Sequence, residues 1–238
     1  MTMDVRSGPF KRWSKRLAPL VATVTMVGGF VVLAGQADAA VTTVHGSAYG
    51  FFTNVSLFNS PFSTRGPAPR VQLPPGGSAV AVTASHPAEV AQYGPATIFS
   101  SGKEFVSTRG TPAGGAVVSY AFLANVNSGP FTARAVSSTC KARQAGVSGS
   151  TTIANGKLVT KTDASGNPVT TVSVPVNPAP NTTYTGTIDN VGDSFKFVFN
   201  EQIVQRDGKI VVNAGHDYLL GPTAKGDVIF GESVCGVR

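Results

Sequence analysis

Two residues in the last third of the chain have the types and spacing for acid–base chemistry. Glu201 and His216 lie in the runs 195–206 and 209–220, which flank Asp207-Gly208. A two-residue turn at Asp-Gly predicts a β-hairpin and fixes its register. In that register Phe195, Phe197, Phe199, Glu201 and Ile203 share a face with Val212, Ala214, His216, Tyr218 and Leu220. Glu201 then opposes Ala214 and His216 opposes Phe199, so the two are diagonal neighbours, roughly 7–8 Å apart at the backbone. A carboxylate and an imidazole on an otherwise apolar face need each other, because an unpaired buried charge costs several kcal/mol. Such a pair can serve as a general base with its orienting carboxylate, or it can simply fix the hairpin. The structural role is favoured, because no nucleophile accompanies the pair. There is no G-x-S-x-G elbow, and Gly146-Val-Ser-Gly-Ser150 has the wrong spacing for one. No catalytic residue is assigned, and catalysis is the less favoured reading.

The other ionisable residues form no recognisable constellation. His45 precedes Gly46, and His86 precedes Pro87, without H-x-x-H or H-E-x-x-H spacing, so no metal site is expected. Asp189, Asp193 and Asp227 lie near turns and do not follow the D-x-D-x-D-G pattern of a calcium loop. Asp189 or Asp193 with Glu201 would be needed for a two-carboxylate glycosidase, and nothing in the sequence supports that pairing. Walker A and G-x-G-x-x-G fingerprints are missing, so no cofactor is expected. An aromatic group, Tyr49, Phe51, Phe52, Phe58 and Phe62, could form a recognition surface but reads first as sheet core. Tyr49 and Phe51 alternate onto one face. Tyr49, Tyr93, Tyr120, Tyr184 and Tyr218 are the candidate stacking residues for a sugar ligand.

The elements that must position these residues are strands. Val, Thr and Phe are abundant, whereas the helix formers Leu, Glu and Lys are scarce. Candidate strands cover 41–58, 78–84, 96–101, 104–109, 116–124, 131–140 and 169–174. Residues 59–69, with Pro61, Pro67 and Pro69, read as a turn-rich link. Thr151–Ala154 and Lys157–Thr160 flank Asn155-Gly156 and predict a second tight hairpin. Pro175–Pro180 reads as a surface crossover. Many short strands with Gly/Pro punctuation predict an all-β, antiparallel sandwich or barrel-like domain.

An N-terminal signal-peptide helix is expected to precede that domain. Arg6, Lys11, Arg12, Lys15 and Arg16 lead into an apolar run from Leu17 to Gly35, followed by Ala37-Asp38-Ala39. This is the layout of a signal peptide over residues 1–39, cut before Ala40. With no Arg-Arg pair, the general secretory route is expected. One β-rich extracellular domain, 40–238, remains, with 40–140 and 141–238 as its conceivable halves. Residues 1–39 hold five of the 19 bases and two of the 12 acids, leaving 14 bases against 10 acids, a net charge of +4. Those bases are scattered, so nucleic acid is not an expected partner. Trp13, the single Trp, also falls in the signal, which weakens a carbohydrate-binding reading. Both cysteines, Cys140 and Cys235, lie in the exported part, where one disulfide is expected. It would span 95 residues and, on chain-entropy grounds, contribute roughly 4–5 kcal/mol.

Several segments, in order, carry a family resemblance. They are His45-Gly-Ser-Ala-Tyr-Gly50, Pro67-Ala-Pro69 with Leu73-Pro-Pro-Gly-Gly77, Ser138-Thr-Cys140, and Gly146-Val-Ser-Gly-Ser-Thr-Thr152. Asn177-Pro-Ala-Pro-Asn181, Asn200-Glu-Gln202, Val212-Asn-Ala214 and Gly231-Glu-Ser-Val-Cys-Gly236 follow. In this layout the chain resembles the actinobacterial choice-of-anchor P proteins, exported proteins of undetermined activity. The resemblance implies a surface domain held by differing C-terminal anchors, and it supplies no catalytic residues. No sorting signal, apolar tail or basic stop follows Cys235. Release, or retention by non-covalent contact or an uncleaved N-terminus, is therefore expected, with no membrane span after cleavage. The expected function is a secreted or cell-surface, non-enzymatic, adhesin-like or envelope-associated domain. Its expected partners are envelope or extracellular polysaccharide or protein. The alternatives are a secreted hydrolase acting on polysaccharide or peptidoglycan, and a carbohydrate- or small-ligand-binding module.

Overall fold

The structure, a computed structural model, describes residues 40–238. The signal segment and its cleavage residues Ala37 and Ala39 lie outside the described residues, and Ala40 is the first inside them. Fifteen strands follow one another: β1 (Val44–Leu57), β2 (Ser63–Gln72), β3 (Ser78–His86), β4 (Glu89–Tyr93), β5 (Ala96–Ser101), β6 (Glu104–Thr111), β7 (Ala116–Ser128), β8 (Phe131–Arg143), β9 (Gly146–Ala154), β10 (Lys157–Thr162), β11 (Pro168–Ser173), β12 (Thr182–Ile188), β13 (Asp193–Val204), β14 (Ile210–Gly221) and β15 (Ala224–Val237). Among the described residues there is no helix, and none long and apolar enough to cross a membrane. The domain is all-β. Its strands form one sheet in the order β2-β1-β15-β14-β13-β12-β10-β8-β7-β5-β4, with β6, β3, β9 and β11 attached at its sides. The sheet coils so that β1, β14 and β15 pack face to face on β6–β9, which gives a nearly closed, flattened barrel.

β1 and β15 pair along almost their whole length, so the first and last strands are neighbours. β8 runs unbroken past Cys140, across the boundary between the two sequence halves. The segment expected as a link, 59–69, contributes most of β2. Pro67 and Pro69 are tolerated in it because β2 is an edge strand, where a missing N–H can face away from the ladder.

The pleat inverts along one line around the barrel, and this decides which residues face outward. Along a regular strand, inward residues are two apart. On β1 the step from Ala48 to Phe51 is three, on β7 Leu123 to Val126, on β8 Ala133 to Val136, and on β15 Phe230 to Ser233. Residues with positive φ sit on the line: Asn125, Asn155, Asn181, Asn200 and Gly231, between 50° and 64°. Asn reaches this left-handed region at lower cost than most side chains, because its short amide bonds locally. Neighbouring strands invert together, so the ladder keeps its register. Ala124 pairs Ala135 and Val126 pairs Ala133, on either side of Asn125.

The same line explains a correction. Asn155-Gly156 does not close a hairpin. β9 and β10 both pair β8, in one continuous register, Ala154 with Ala135 and Leu158 with Phe131. The positive φ of Asn155, 55°, serves the inversion and not a turn.

The inversion also separates two cores. On one side lies an aromatic core with Phe51, Phe99, Phe131, Phe197, Phe199 and Phe230. On the other lies a smaller core with Val44, Val117, Ile210, Val212 and the disulfide Cys140–Cys235. The bridge joins β8 to β15 across the barrel, with Cα atoms 5.9 Å apart. Both cysteines are fully buried.

Candidate functional site

The hairpin that carries Glu201 and His216 has a different register from the one expected. Val204 pairs Ile210, Glu201 pairs Asn213 and Val198 pairs His216. The turn spans three residues, because Gly208 N–H donates to Gln205 O and Gln205 N–H donates to Lys209 O. Gly208 takes φ 79°, the left-handed position that closes a three-residue loop. One added loop residue slides the pairing by one.

The face is also different. Phe195, Phe197 and Phe199 point into the aromatic core. The inversion at Asn200 then turns Glu201 to the outer face, where His216 stands opposite Val198. Glu201 and His216 are thus not intruders in the phenylalanine core. They meet on the outside of the barrel, each only 7% exposed. Tyr49 and Phe51, expected to share a face, are split by the same inversion at Gly50: Phe51 is in the core and Tyr49 is outside.

Glu201 is saturated. Its Oε2 accepts from Asn213 Nδ2 at 2.7 Å and contacts His216 Nδ1 at 2.8 Å. Its Oε1 accepts from the Tyr218 hydroxyl at 2.5 Å. Burial opposes the charge, but the bonds from His216, Tyr218 and Asn213 outweigh it and hold the carboxyl down at about 2. The other ring nitrogen of His216 lies 3.0 Å from Asp227 Oδ1. The Tyr218 ring stacks on the imidazole, with centroids 3.7 Å apart, and Lys196 Nζ lies 3.9 Å over the Tyr218 ring.

Beside this cluster a polar rung crosses five strands. Arg70 pairs Tyr49, Tyr49 pairs Glu232, Glu232 pairs Asn213 and Asn213 pairs Glu201. The next outer rung is mainly apolar: Phe52, Ile229, His216 and Val198. A third is polar again, with Thr64, Asn54, Asp227, Tyr218 and Lys196. Between the first two rungs lies an open groove of about 300 Å³, lined by Tyr49, Phe52, Pro67, Arg70, Ile229 and Glu232. Burial pushes the Tyr49 hydroxyl up, and the Glu232 carboxylate adds to it. Burial also raises Glu232, against the opposing pull of the Tyr49 hydrogen bond and of Arg70.

The remaining sequence candidates lie apart. Asp193 begins β13, eight residues before Glu201, about 26 Å along a strand at 3.3 Å per residue. Its carboxylate is taken by the Thr223 N–H and hydroxyl. Asp189 lies beyond β12, where its N–H donates to Thr162. Neither can form a glycosidase pair with Glu201. His45 is exposed on β1, and His86 ends β3, 3.8 Å from Glu89. No group of metal-ligating residues occurs among the described residues. The tyrosines form no exposed row: Tyr93 bonds Thr53, Tyr184 packs edge-on against Phe199, and Tyr120 tilts against Phe105.

Two interior acids escaped sequence reasoning. Glu104 is fully buried, accepts from the Ser101 hydroxyl at 2.6 Å, and has no partner for Oε2. It fits because Gly50 faces it, and a Cβ there would approach Oε2 within 2.4 Å. Burial raises Glu104 to about 7, against the Ser101 bond. Asp217, 1% exposed, is pushed to about 8 by burial and by Asp227. Arg70 and Glu232 were also missed as site residues. No sequence signal marks them, because they join Tyr49 and Asn213 only through strand register.

The fold and site define an all-β, nearly closed barrel with a polar–apolar–polar outer face. The chain matches no family model, no curated protein and no solved structure.

Proposed function

We propose that this is an exported, non-catalytic β-domain that recognises extracellular or envelope polysaccharide through its outer groove. The observation that carries this reading is the polar rung Arg70–Tyr49–Glu232–Asn213–Glu201 beside the apolar strip of Phe52 and Ile229. A sugar ring presents hydroxyls at its edge and C–H groups on its face. Arg70 donates and Glu232 accepts at the edge, while Phe52, Ile229 and Pro67 receive the face. A few polar groups on an apolar floor are what fixes a small ligand's orientation. Export is supported by the signal-like segment and by two cysteines buried as a disulfide. The ordered resemblance to choice-of-anchor P proteins agrees with a surface role.

Catalysis is disfavoured because both Glu201 oxygens are occupied by donors of the protein itself. One observation speaks for a hydrolase. Glu201 and Glu232 lie on one rung with their carboxyls shifted in opposite directions, as acid and nucleophile pairs are. Calorimetric titration with purified cell-wall polysaccharide fragments separates the readings. Binding without release of reducing ends is expected, weakened about tenfold or more by Arg70→Ala or Glu232→Gln. Turnover abolished by Glu232→Gln would establish the hydrolase instead.

A further inference from the structure

At the end of the barrel away from the disulfide, a cavity of about 380 Å³ opens among Pro130, Val159, Pro168, Ile188, Phe195 and Leu219. Phe195, Ile188 and Leu219 also belong to or pack on the aromatic core, so the cavity continues that core to the surface. It is independent of the outer groove. We propose that it binds an uncharged apolar small molecule, an alkyl chain of about ten carbons or a compact aromatic of similar bulk.

The acid and the threonine on its wall are already bonded within the protein, which leaves Ser194 as the wall's other polar side chain. Both Asp193 oxygens accept from Thr223, one from its N–H and one from its hydroxyl, each at 2.5 Å. Thr162 Oγ1 accepts from the Asp189 N–H at 2.9 Å. A charged ligand would lose its hydration there and find no free charged partner, at a cost of several kcal/mol. An apolar one loses nothing and buries its surface. The volume falls in the range of about 300–1,000 Å³ of small-ligand sites.

The cavity is also held open. The Phe195 ring lies against Gly186, where a Cβ would come within 2.3 Å of it. The ring therefore packs on β12 and leaves the cavity free. The rim loop 163–167 is pinned by Asp163, whose Oδ1 accepts from the N–H groups of Ser165 and Asn167 at 2.9 and 2.8 Å. Asn167 Nδ2 donates to Oδ2 at 3.2 Å. A site already shaped needs little ordering when a ligand enters.

The test uses residues 40–238 carrying the intact disulfide, titrated with the fluorescent probe N-phenyl-1-naphthylamine. A saturable one-to-one rise in fluorescence is expected, competed by decanol and not by equal decanoate or decylamine. Ile188→Trp fills the cavity and is expected to weaken probe binding about tenfold or more with an unchanged melting temperature. If that variant melts early, Pro168→Trp, at the exposed rim, gives the same reading. No saturable rise in the wild type overturns the proposal, as does unaltered affinity in both variants. Competition by the charged probes overturns the assignment to uncharged ligands.

Discussion

His216 is clamped between two carboxylates, Glu201 at 2.8 Å from Nδ1 and Asp227 at 3.0 Å from Nε2. The clamp joins three strands, β13, β14 and β15, on the outer face. Asp227 is the solvent side of the clamp, with 41% of its side chain exposed, and Glu201 is the sealed side. The ring can donate to both only in its doubly protonated form.

Replacing His216 by Gln removes one arm of this clamp and the stack on Tyr218. A loss of about 1–3 kcal/mol is expected. Thermal unfolding should register a drop of several degrees, at about 2–4 °C per kcal/mol for a domain of this size. An unchanged melting temperature would mean that the clamp contributes nothing to stability.

The shifts of the carboxyl groups predict a stability optimum in mild acid. Glu201, depressed to about 2 when folded, stabilises above its unfolded value near 4.3. That contribution is lost as pH falls toward 2. Glu104 and Asp217 are raised, to about 7 and about 8. Their unfolded forms ionise first, so stability falls as pH rises from about 4 through 7 and 8. Melting temperature against pH should peak near about pH 4–5. Glu104→Gln and Asp217→Asn should each flatten the alkaline side, and a curve still rising from pH 5 to 8 would contradict these shifts.

The inversion line predicts a specific side-chain preference. Asn125 is exposed with φ 50°. Asn125→Gly should change stability little, whereas Asn125→Val should cost about 1–2 kcal/mol, the penalty of a left-handed L-residue. Chemical denaturation of both variants checks this, and equal effects would show that the backbone angle is not what selects Asn.

Much of the fold was legible in the sequence, because composition and punctuation report strands directly. β5 matches its expected range, Ala96–Ser101, and β6, β7 and β8 extend theirs by a few residues. What failed was the assumption that alternation runs unbroken. Tyr49 and Phe51, two apart, should share a face, and Gly50 separates them. Glu201 should follow Phe199 inward, and Asn200 sends it out. Periodicity cannot show a pleat inversion, because the extra step is written in backbone angles that Asn and Gly permit but do not announce. The polar rung was hidden for the same reason: Arg70, Tyr49, Glu232 and Glu201 lie far apart in sequence and meet only through register.

Removing the disulfide should weaken the domain without dissolving it. Cys140→Ala with Cys235→Ala frees a loop with a sequence separation of 95, which chain entropy values at roughly 4–5 kcal/mol. The aromatic core lies on the other side of the inversion line and keeps its packing. Guanidinium unfolding should show a lower midpoint with a cooperative transition. A midpoint equal to that of the oxidised protein would contradict the bridge's role.

Recognition at the outer groove is tested most directly by mapping amide chemical shifts of labelled residues 40–238 during titration with cell-wall polysaccharide fragments. Saturable shifts are expected at Tyr49, Phe52, Arg70, Ile229 and Glu232, absent in Arg70→Ala. Shifts confined to another surface, or none at saturating saccharide, would contradict the account.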